Sequence, residues 1–298
     1  MLLALARAKI NLALEVRGRR KDGYHEVVTV LQSIGLADVL TFAPAEGGLF
    51  LEVSGEPVPK ENNLVLRAAE SLRQATGYQG GAFIRLQKNI PVAAGLGGGS
   101  ADAAATLLAL NRLWGLGCPE EFLERLGAEI GVDIPFCLRG GTALGRGRGD
   151  ELTSLPSLPA LGVLLVKPLY GLATATVYQE FDLHLHPPCF PAEEMTHWLY
   201  KGQWQLAVKS GGNVLEEVVF RRYPELRRLK EELLATGALC AGLSGTGPTL
   251  FALFPSWEEA LDKASAFTVQ GWRVWVTTTV RRGVRLFWGE NDAATSAG

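Results

Sequence analysis

Four glycines, at 95, 97, 98 and 99, crowd the segment Pro91-Val-Ala-Ala-Gly-Leu-Gly-Gly-Gly-Ser-Ala-Asp102. Glycine removes the Cβ atom that keeps a ligand away from the backbone, and it permits the positive φ angles that turn successive N–H groups to one side. The Ala- and Leu-rich run from Ser100 to Trp114 follows, ended by Gly115. The loop therefore feeds a helix, with Ser100 as its amino-terminal cap, whose unpaired first-turn N–H groups and dipole add positive potential. Together they make an anion site suited to a polyphosphate. A tight strand-to-helix turn is the plain alternative, yet three consecutive glycines carry an ordering cost that a mere turn does not need. Two familiar phosphate loops do not fit. No Gly-Lys-Ser or Gly-Lys-Thr occurs, which excludes a Walker A loop. The dinucleotide fingerprint fails because Ser100 stands where its last Gly or Ala belongs and no acidic residue follows at the right distance.

Other candidates are weaker alone. Lys9 and Asn11 occupy the polar side of an alternating strand, Ala6 to Val16, where Lys9 by itself reads as an exposed strand lysine. Asp133, in Gly131-Val-Asp-Ile-Pro135, reads by itself as a helix cap or turn residue. Tyr24 and His25 follow the turn Lys21-Asp22-Gly23 and offer a stacking surface and a hydrogen-bonding ring. Asn62 and Asn63 precede a helix and suit its cap. Lys88 lies just ahead of the glycine loop, able to reach a nucleotide or to be solvated. Gly145-Arg-Gly-Arg-Gly149 brings two cations that could touch a diphosphate, but without interleaved aromatics it is a poor nucleic-acid signal. His184 and His186 lack a completing Cys or carboxylate motif and read as surface loop. Cys118, Cys137, Cys189 and Cys240 form no CxxC pair and fit free thiols in a reducing compartment.

The elements that must hold these residues can be read coarsely. Strands are expected at Ala6–Val16, Val27–Leu31, Val39–Phe42, Phe50–Val53, Phe83–Leu86, Leu161–Val166, Thr249–Phe254 and Arg273–Thr278. Helices are expected at Asn63–Leu72, Ser100–Trp114, Pro119–Ile130, Thr174–Phe181, around Leu226–Leu234 and at Trp257–Phe267. Pro156, Ser157 and Pro159 interrupt both periods, so residues 1–155 and 156–289 are read as two domains, with 290–298 a frayed polar tail. At 298 residues, 47% apolar and 20% charged, the chain can bury a large core. A net charge of −2 gives no basic field for nucleic acid or an anionic membrane, and no apolar run approaches a membrane span. No signal peptide is read, and a cytoplasmic protein, monomer or homodimer, is expected.

Pro91–Asp102 resembles the second motif of the GHMP kinases, the superfamily of galactokinase, homoserine kinase and mevalonate kinase. Ala8-Lys9-Ile-Asn11-Leu-Ala-Leu with Asp22-Gly23-Tyr24-His25, the Gly131–Pro135 segment, and Gly242-Leu-Ser-Gly-Thr-Gly-Pro248 narrow the resemblance to the 4-diphosphocytidyl-2-C-methyl-D-erythritol kinase family. Those landmarks run from residue 8 to 254, nearly the whole chain. The resemblance implies a two-domain α+β fold with its active site in the cleft between domains. It implies transfer of phosphate from ATP, with Mg2+, to the 2-hydroxyl of the cytidine-diphosphate-linked methylerythritol, in the non-mevalonate route to isoprenoids.

It also implies residue roles. Asp133 would take or orient the proton of the acceptor hydroxyl, and Lys9 would pair with it and hydrogen-bond the acceptor oxygen. Pro91, Gly95, Leu96, Gly97, Gly98, Gly99, Ser100, Ala101, Lys88 and Asn63 would hold ATP. Asn11, Tyr24, His25, Thr174, Tyr178 and Gly245 would hold the acceptor, with Tyr24 and Tyr178 flanking the base and His25 reading its edge. Many relatives carry a second Ser where this chain has Ala101, so for phosphate or the metal either Ser100 suffices as the loop hydroxyl or the backbone does the work. Two rivals remain at this point: a homoserine- or mevalonate-type kinase, which has no use for Tyr24-His25, and a non-catalytic nucleotide binder, which has none for Lys9 with Asp133.

Overall fold

The alternation that begins at Ala6 and the turn at residues 21–23 become one long hairpin. The computed structural model of this chain describes residues 1–58, 63–183 and 191–288. Asn62, His184, His186, Cys189 and the 290–298 tail lie outside the described residues. In chain order come β1 (Leu2–Arg19), β2 (His25–Ala45), β3 (Leu49–Gly55), α1 (Leu64–Thr76), β4 (Gly81–Lys88), α2 (Gly98–Leu113), α3 (Glu120–Ile130), α4 (Ile134–Arg139), β5 (Thr142–Arg146) and β6 (Glu151–Ser154). There follow β7 (Gly162–Lys167), α5 (Thr174–Asp182), α6 (Pro191–Tyr200), α7 (Trp204–Lys209), β8 (Gly212–Asn213), α8 (Glu216–Arg222) and α9 (Pro224–Ala235). Last are β9 (Cys240–Leu243), β10 (Leu250–Phe254), α10 (Trp257–Val269), β11 (Arg273–Thr278) and β12 (Val284–Trp288).

Two sheets carry the molecule. The first runs β12-β1-β2-β4-β3, with β5 and β6 branching from β2 and β8 lying beside β1. The second runs β11-β7-β10-β9 and is antiparallel throughout. Strands β8 and β12, from beyond residue 156, thus join the first sheet. Pairing of β1 with β2 is continuous from Leu2 opposite Phe42 to Arg19 opposite His25, broken by register shifts at Arg7/Lys9, Asn11/Ala13 and Val16/Gly18. Bulges of this kind bend a strand and re-aim its side chains. Two of them bracket Lys9 and Asn11.

Helix α2 explains its own composition. Small and apolar over most of its length, with Asn111 and the exposed Arg112 only in its last turn, it reads as a buried helix. Ala101, Ala103, Ala104, Ala105, Leu107, Ala109 and Leu110 are all buried. It packs on β1 and β2 and against α1 and α4. Cutting Leu107 or Leu110 to Ala there would cost about 2–5 kcal/mol. The helix starts earlier than its sequence suggests. Gly97, at φ 66°, takes the cap position, α2 begins at Gly98, and no side chain caps it. Ser100 is therefore not the cap but lies inside the first turn. Gly97 adopts a left-handed conformation that a serine would resist, so the chain turns helical as soon as the last positive-φ glycine has passed. The other early cap is as expected, with the Asn63 side chain accepting from the Val65 N–H at 2.9 Å. No helix among the described residues is long and apolar enough to cross a membrane.

Candidate active site

A cavity of about 860 Å3 opens between the glycine loop, the β1–β2 hairpin, α5 and the loop after β9. Lys9, Asn11, Tyr24, His25, Asn63, Lys88, Pro91, Gly95, Leu96, Gly97, Gly98, Gly99, Ser100, Asp133, Thr174, Tyr178 and Gly245 all line it. Ala101 does not, being fully buried in α2.

The glycine loop is locked on two sides. On one, the Leu96 carbonyl accepts the Lys9 N–H at 3.0 Å, and a Cβ on Gly97 would sit 3.0 Å from Lys9 Cγ. On the other, the Gly95 carbonyl accepts the Ser244 hydroxyl at 2.9 Å, and a Cβ on Gly95 would lie 2.0 Å from the Ser244 carbonyl oxygen. Only glycine allows backbone to approach backbone so closely. The loop following β9 is anchored in turn by Asn213, whose amide donates to the carbonyls of Leu243 (2.9 Å) and Gly245 (2.7 Å). Gly245, at φ 57°, turns beneath the Lys9 ammonium.

Lys9 and Asp133 come from distant stretches of chain and meet, with Nζ 3.7 Å from the carboxylate. Lys9 is buried, at 5% exposure, so the exposed-strand alternative fails. A buried ammonium must be paired and hydrogen-bonded. Lys9 Nζ donates to Asn11 Oδ1 at 2.7 Å, the Asn11 amide donates to Thr29 Oγ1 at 2.9 Å, and the Thr29 hydroxyl donates to the Ala13 carbonyl at 2.7 Å. That relay fixes which way the Asn11 amide faces and aims Lys9. Asp133 occupies the cap position of α4, yet its carboxylate makes no capping bond, so the cap alternative fails as well. Its carboxylate, about one-third exposed, remains available to the cavity. Burial raises the Tyr178 hydroxyl to about pKa 12, with the Asp133 charge adding to the effect. The phenol therefore stays neutral and can donate.

Lys88 is neither solvated nor a free cation. It is buried, pairs with Asp38, and lies 2.9 Å from Asp102 Oδ2. Asp38 also accepts the Asn89 and Ile90 N–H groups. Asp102 keeps one carboxyl oxygen, Oδ1, without a hydrogen-bond partner. Burial lifts its pKa well above the ordinary carboxylate range, Lys88 pulling the other way and Asp38 adding to the rise. The cluster lies directly beneath the loop, since a Cβ on Gly98 would meet Lys88 Nζ at 2.8 Å.

The far end of the cavity is aromatic. Tyr24 is half exposed, and the Arg148 guanidinium lies 5.2 Å over its ring. Arg148 is held by Asp150 and by the Ala128 carbonyl. Tyr178 lies flat against the His25 ring, and His25 bonds Asp182. Thr174 meets Thr246 at 3.2 Å. Asp182, Thr29, Asp38 and Asn213 carried no signal that single-residue reading could separate from an ordinary turn, strand or helix side chain, whereas Arg148, already marked as a cation near the site, lies over the Tyr24 ring. A question posed of buried polar side chains, namely what each one holds, would have found Thr29 and Asp38.

Comparison with known proteins agrees with this geometry. Residues 63–141 match the GHMP kinases N terminal domain, and residues 199–269 match the GHMP kinases C terminal domain. A protein of Pelotomaculum thermopropionicum named 4-diphosphocytidyl-2-C-methyl-D-erythritol kinase is 49% identical over 281 residues, covering 94% of this chain and 98% of the relative. One of the same name from Moorella thermoacetica is 49% identical over 87% of this chain and 92% of its own length. A crystal structure of a 4-(cytidine 5'-diphospho)-2C-methyl-D-erythritol kinase superposes with a TM-score of 0.79 at 36% identity, covering 93% of this chain and 98% of that one. Homoserine kinase of Cytophaga hutchinsonii, 21% identical with a TM-score of 0.75 over 96% of this chain and 97% of its own, shares the fold. With its α+β architecture, its glycine loop and relatives that match it almost end to end, the chain belongs to the 4-diphosphocytidyl-2-C-methyl-D-erythritol kinase family of the GHMP kinases.

Proposed function

We propose that the chain transfers the γ-phosphoryl group of ATP to the 2-hydroxyl of 4-diphosphocytidyl-2-C-methyl-D-erythritol. The observation that carries this reading is the Lys9–Asp133 couple, at 3.7 Å, beside an uncapped helix start and in one cavity with Tyr24 and His25. Residues 1–155 supply the glycine loop, Lys9 and Asp133; residues 156–289 supply α5 and the loop around Gly245.

Phosphoryl transfer to an alcohol asks the protein mainly for positioning and charge stabilisation. The N–H groups from Gly97 to Ser100 and the positive end of α2 hold the transferring oxygens. The ATP base sits toward Asn63, beyond the loop, while Lys88 lies beneath the loop's phosphate-holding glycines. Lys9 hydrogen-bonds the acceptor oxygen, and Asp133 orients the hydroxyl and accepts its proton as the new O–P bond forms and the bond to the departing ADP oxygen breaks. The pKa gap between an alcohol and a carboxylic acid makes that proton move late. Mg2+ fits a site of this donor character. Ser100 offers a hard hydroxyl oxygen at the loop, while no group of three acidic, His or Cys side chains among the described residues forms a cage. Magnesium commonly keeps its waters and is held by phosphates plus one or two protein oxygens. When bound, it neutralises charge on the phosphates.

At the acceptor's other end Tyr24 stacks on the cytosine with the face that Arg148 leaves open, and His25 reads the base edge. Thr174 and Tyr178 complete that wall, while Asn11 and Gly245 stand at the reacting end beside Lys9. Both substrates are highly charged and water-soluble, which suits a cytoplasmic enzyme working as a monomer or homodimer. The test is ADP release with the cytidine-diphosphate-linked acceptor, homoserine and mevalonate offered separately. ADP is expected with the first alone; release driven by homoserine or mevalonate would replace this reading by its rival.

A further inference from the structure

Asn213 and Glu216 stand at the two ends of a short bracket between the sheets. Its main chain belongs to the first sheet. There β8 runs parallel to β1 at Ala13 and Leu14, and the Val214 N–H donates to the Leu14 carbonyl at 3.0 Å. Its side chains belong to the second sheet, where β9 is the edge strand. In an antiparallel ladder, successive residues turn their N–H and C=O groups alternately toward and away from the partner. Ser244 turns inward, its N–H donating to the Thr249 carbonyl at 3.0 Å. Leu243 turns outward, away from β10. Glu216 Oε1 accepts the Leu243 N–H at 2.9 Å, and the Asn213 amide donates to the Leu243 carbonyl. Two side chains thus stand in for a neighbouring strand.

What they hold is a turn with little stiffness of its own. Gly245 and Gly247 sit at φ 57° and 76°, a region that glycine enters and leaves freely. Yet the turn fits tightly against the reacting centre. A Cβ on Gly245 would lie 3.3 Å from Asn11 Oδ1 and 3.5 Å from Lys9 Nζ. Lys9 and Asn11 stand on β1, the strand that β8 follows. Residues 213–216 therefore set the spacing between the lysine and the turn. Within them Glu216 brings an ionised acceptor, which binds an N–H more strongly than a neutral oxygen does. Its other oxygen accepts Lys230 Nζ of α9 at 2.6 Å.

We propose that Glu216 is a positioning residue for phosphoryl transfer: by holding the outward N–H of Leu243 it keeps the 244–247 turn against the Lys9 ammonium, so that Lys9 and Asp133 meet the acceptor oxygen together. Once released, the turn moves outward and Lys9 gains room to swing away from the carboxylate. This depends on the reading above only for the part Lys9 plays in the transfer.

Rates of ADP release and amide hydrogen exchange test it together. Glu216→Ala should lower kcat by about ten- to a hundredfold, the effect of a misplacement of about 1 Å, with the KM of both substrates little changed. Exchange at the Leu243 amide should quicken while Ser244, bonded to Thr249, stays protected. Glu216→Gln, whose amide oxygen still accepts the N–H, should regain most of the rate. Lys230→Met breaks only the ion pair to α9. It should lower the melting temperature yet leave kcat within a few-fold of the parent. Should Glu216→Ala not fold, Glu216→Asp takes its place: the charge stays, the reach falls by one methylene, and the same loss of kcat is expected. Parent-like kcat in whichever of these two is used, unchanged exchange at Leu243, no recovery in Glu216→Gln, or an equal kcat loss in Lys230→Met would each overturn the proposal. Rates are read on whichever of the three acceptors the parent phosphorylates. A parent active on homoserine alone would therefore sink the proposed function and leave this inference standing.

Discussion

In the proposed reaction Asp133 and Lys9 carry the chemistry, and their isolation from one another in sequence hides it. Each reads alone as something ordinary, a turn aspartate and a strand lysine. Only the fold, with Nζ and carboxylate 3.7 Å apart, gives them a common purpose. Asp133→Asn keeps size and polarity but cannot accept the hydroxyl proton. It is expected to lower kcat by about 10²–10⁴-fold with the KM for ATP nearly unchanged. A rate within a few-fold of the parent would remove Asp133 from the proton path. Tyr24→Ala removes the stacking surface and should raise the KM of the cytidine-linked acceptor by about tenfold or more while sparing ATP. Equal effects on both substrates would argue against stacking. What the sequence left unread at this scale was the company each residue keeps. Thr29 and Asn11 aim Lys9 by hydrogen bonds across the hairpin, and no pattern along one strand reveals a partner on the next.

At the scale of elements, the segments with strong internal period were legible. The alternating start of β1, the Ala-rich α2 and the leucine stripe of α9 all stand where their spacing requires. Elements whose existence depends on neighbours were not. Two-residue β8 forms because Asn213 is drawn to the loop after β9, and six-residue α4 follows Asp133 without a period long enough to see. The start of α2 is the instructive miss, since serine capping preference was outweighed by a glycine able to take φ 66°. Gly97→Val tests that position. A branched side chain resists positive φ, and its Cβ would press on the Lys9 stem 3.0 Å away. Raised KM for ATP together with a fall in kcat is expected, because loop and lysine would both be displaced. Unaltered kinetics would show that the loop tolerates a different path.

At the scale of the molecule, the first sheet, α2 and the glycine loop share one buried charge cluster, Lys88 with Asp38 and Asp102. Burial first, and the neighbouring Asp38 charge after it, raise the pKa of Asp102 well above the ordinary carboxylate range, against the pull of Lys88. The folded state then binds more protons than the unfolded one once pH exceeds the unfolded value of about 4. This contribution is intact below that value and is lost as pH rises toward the folded pKa. Asp102→Asn imitates the protonated form. Its melting temperature relative to the parent is expected to be higher at pH 8 than at pH 5, measured by thermal unfolding at constant ionic strength. A parallel pH dependence in the two proteins would mean that Asp102 is ionised when folded.

One contact joins these scales. Where Gly95 meets Ser244, main chain lies against main chain too closely for a Cβ on residue 95, and the Ser244 hydroxyl ties the two loops together. The two loops can therefore tighten only in concert. In the proposed reaction, a triphosphate held by the glycine loop would therefore bear on the turn under the acceptor, so that the first guest to arrive would prepare the seat of the second.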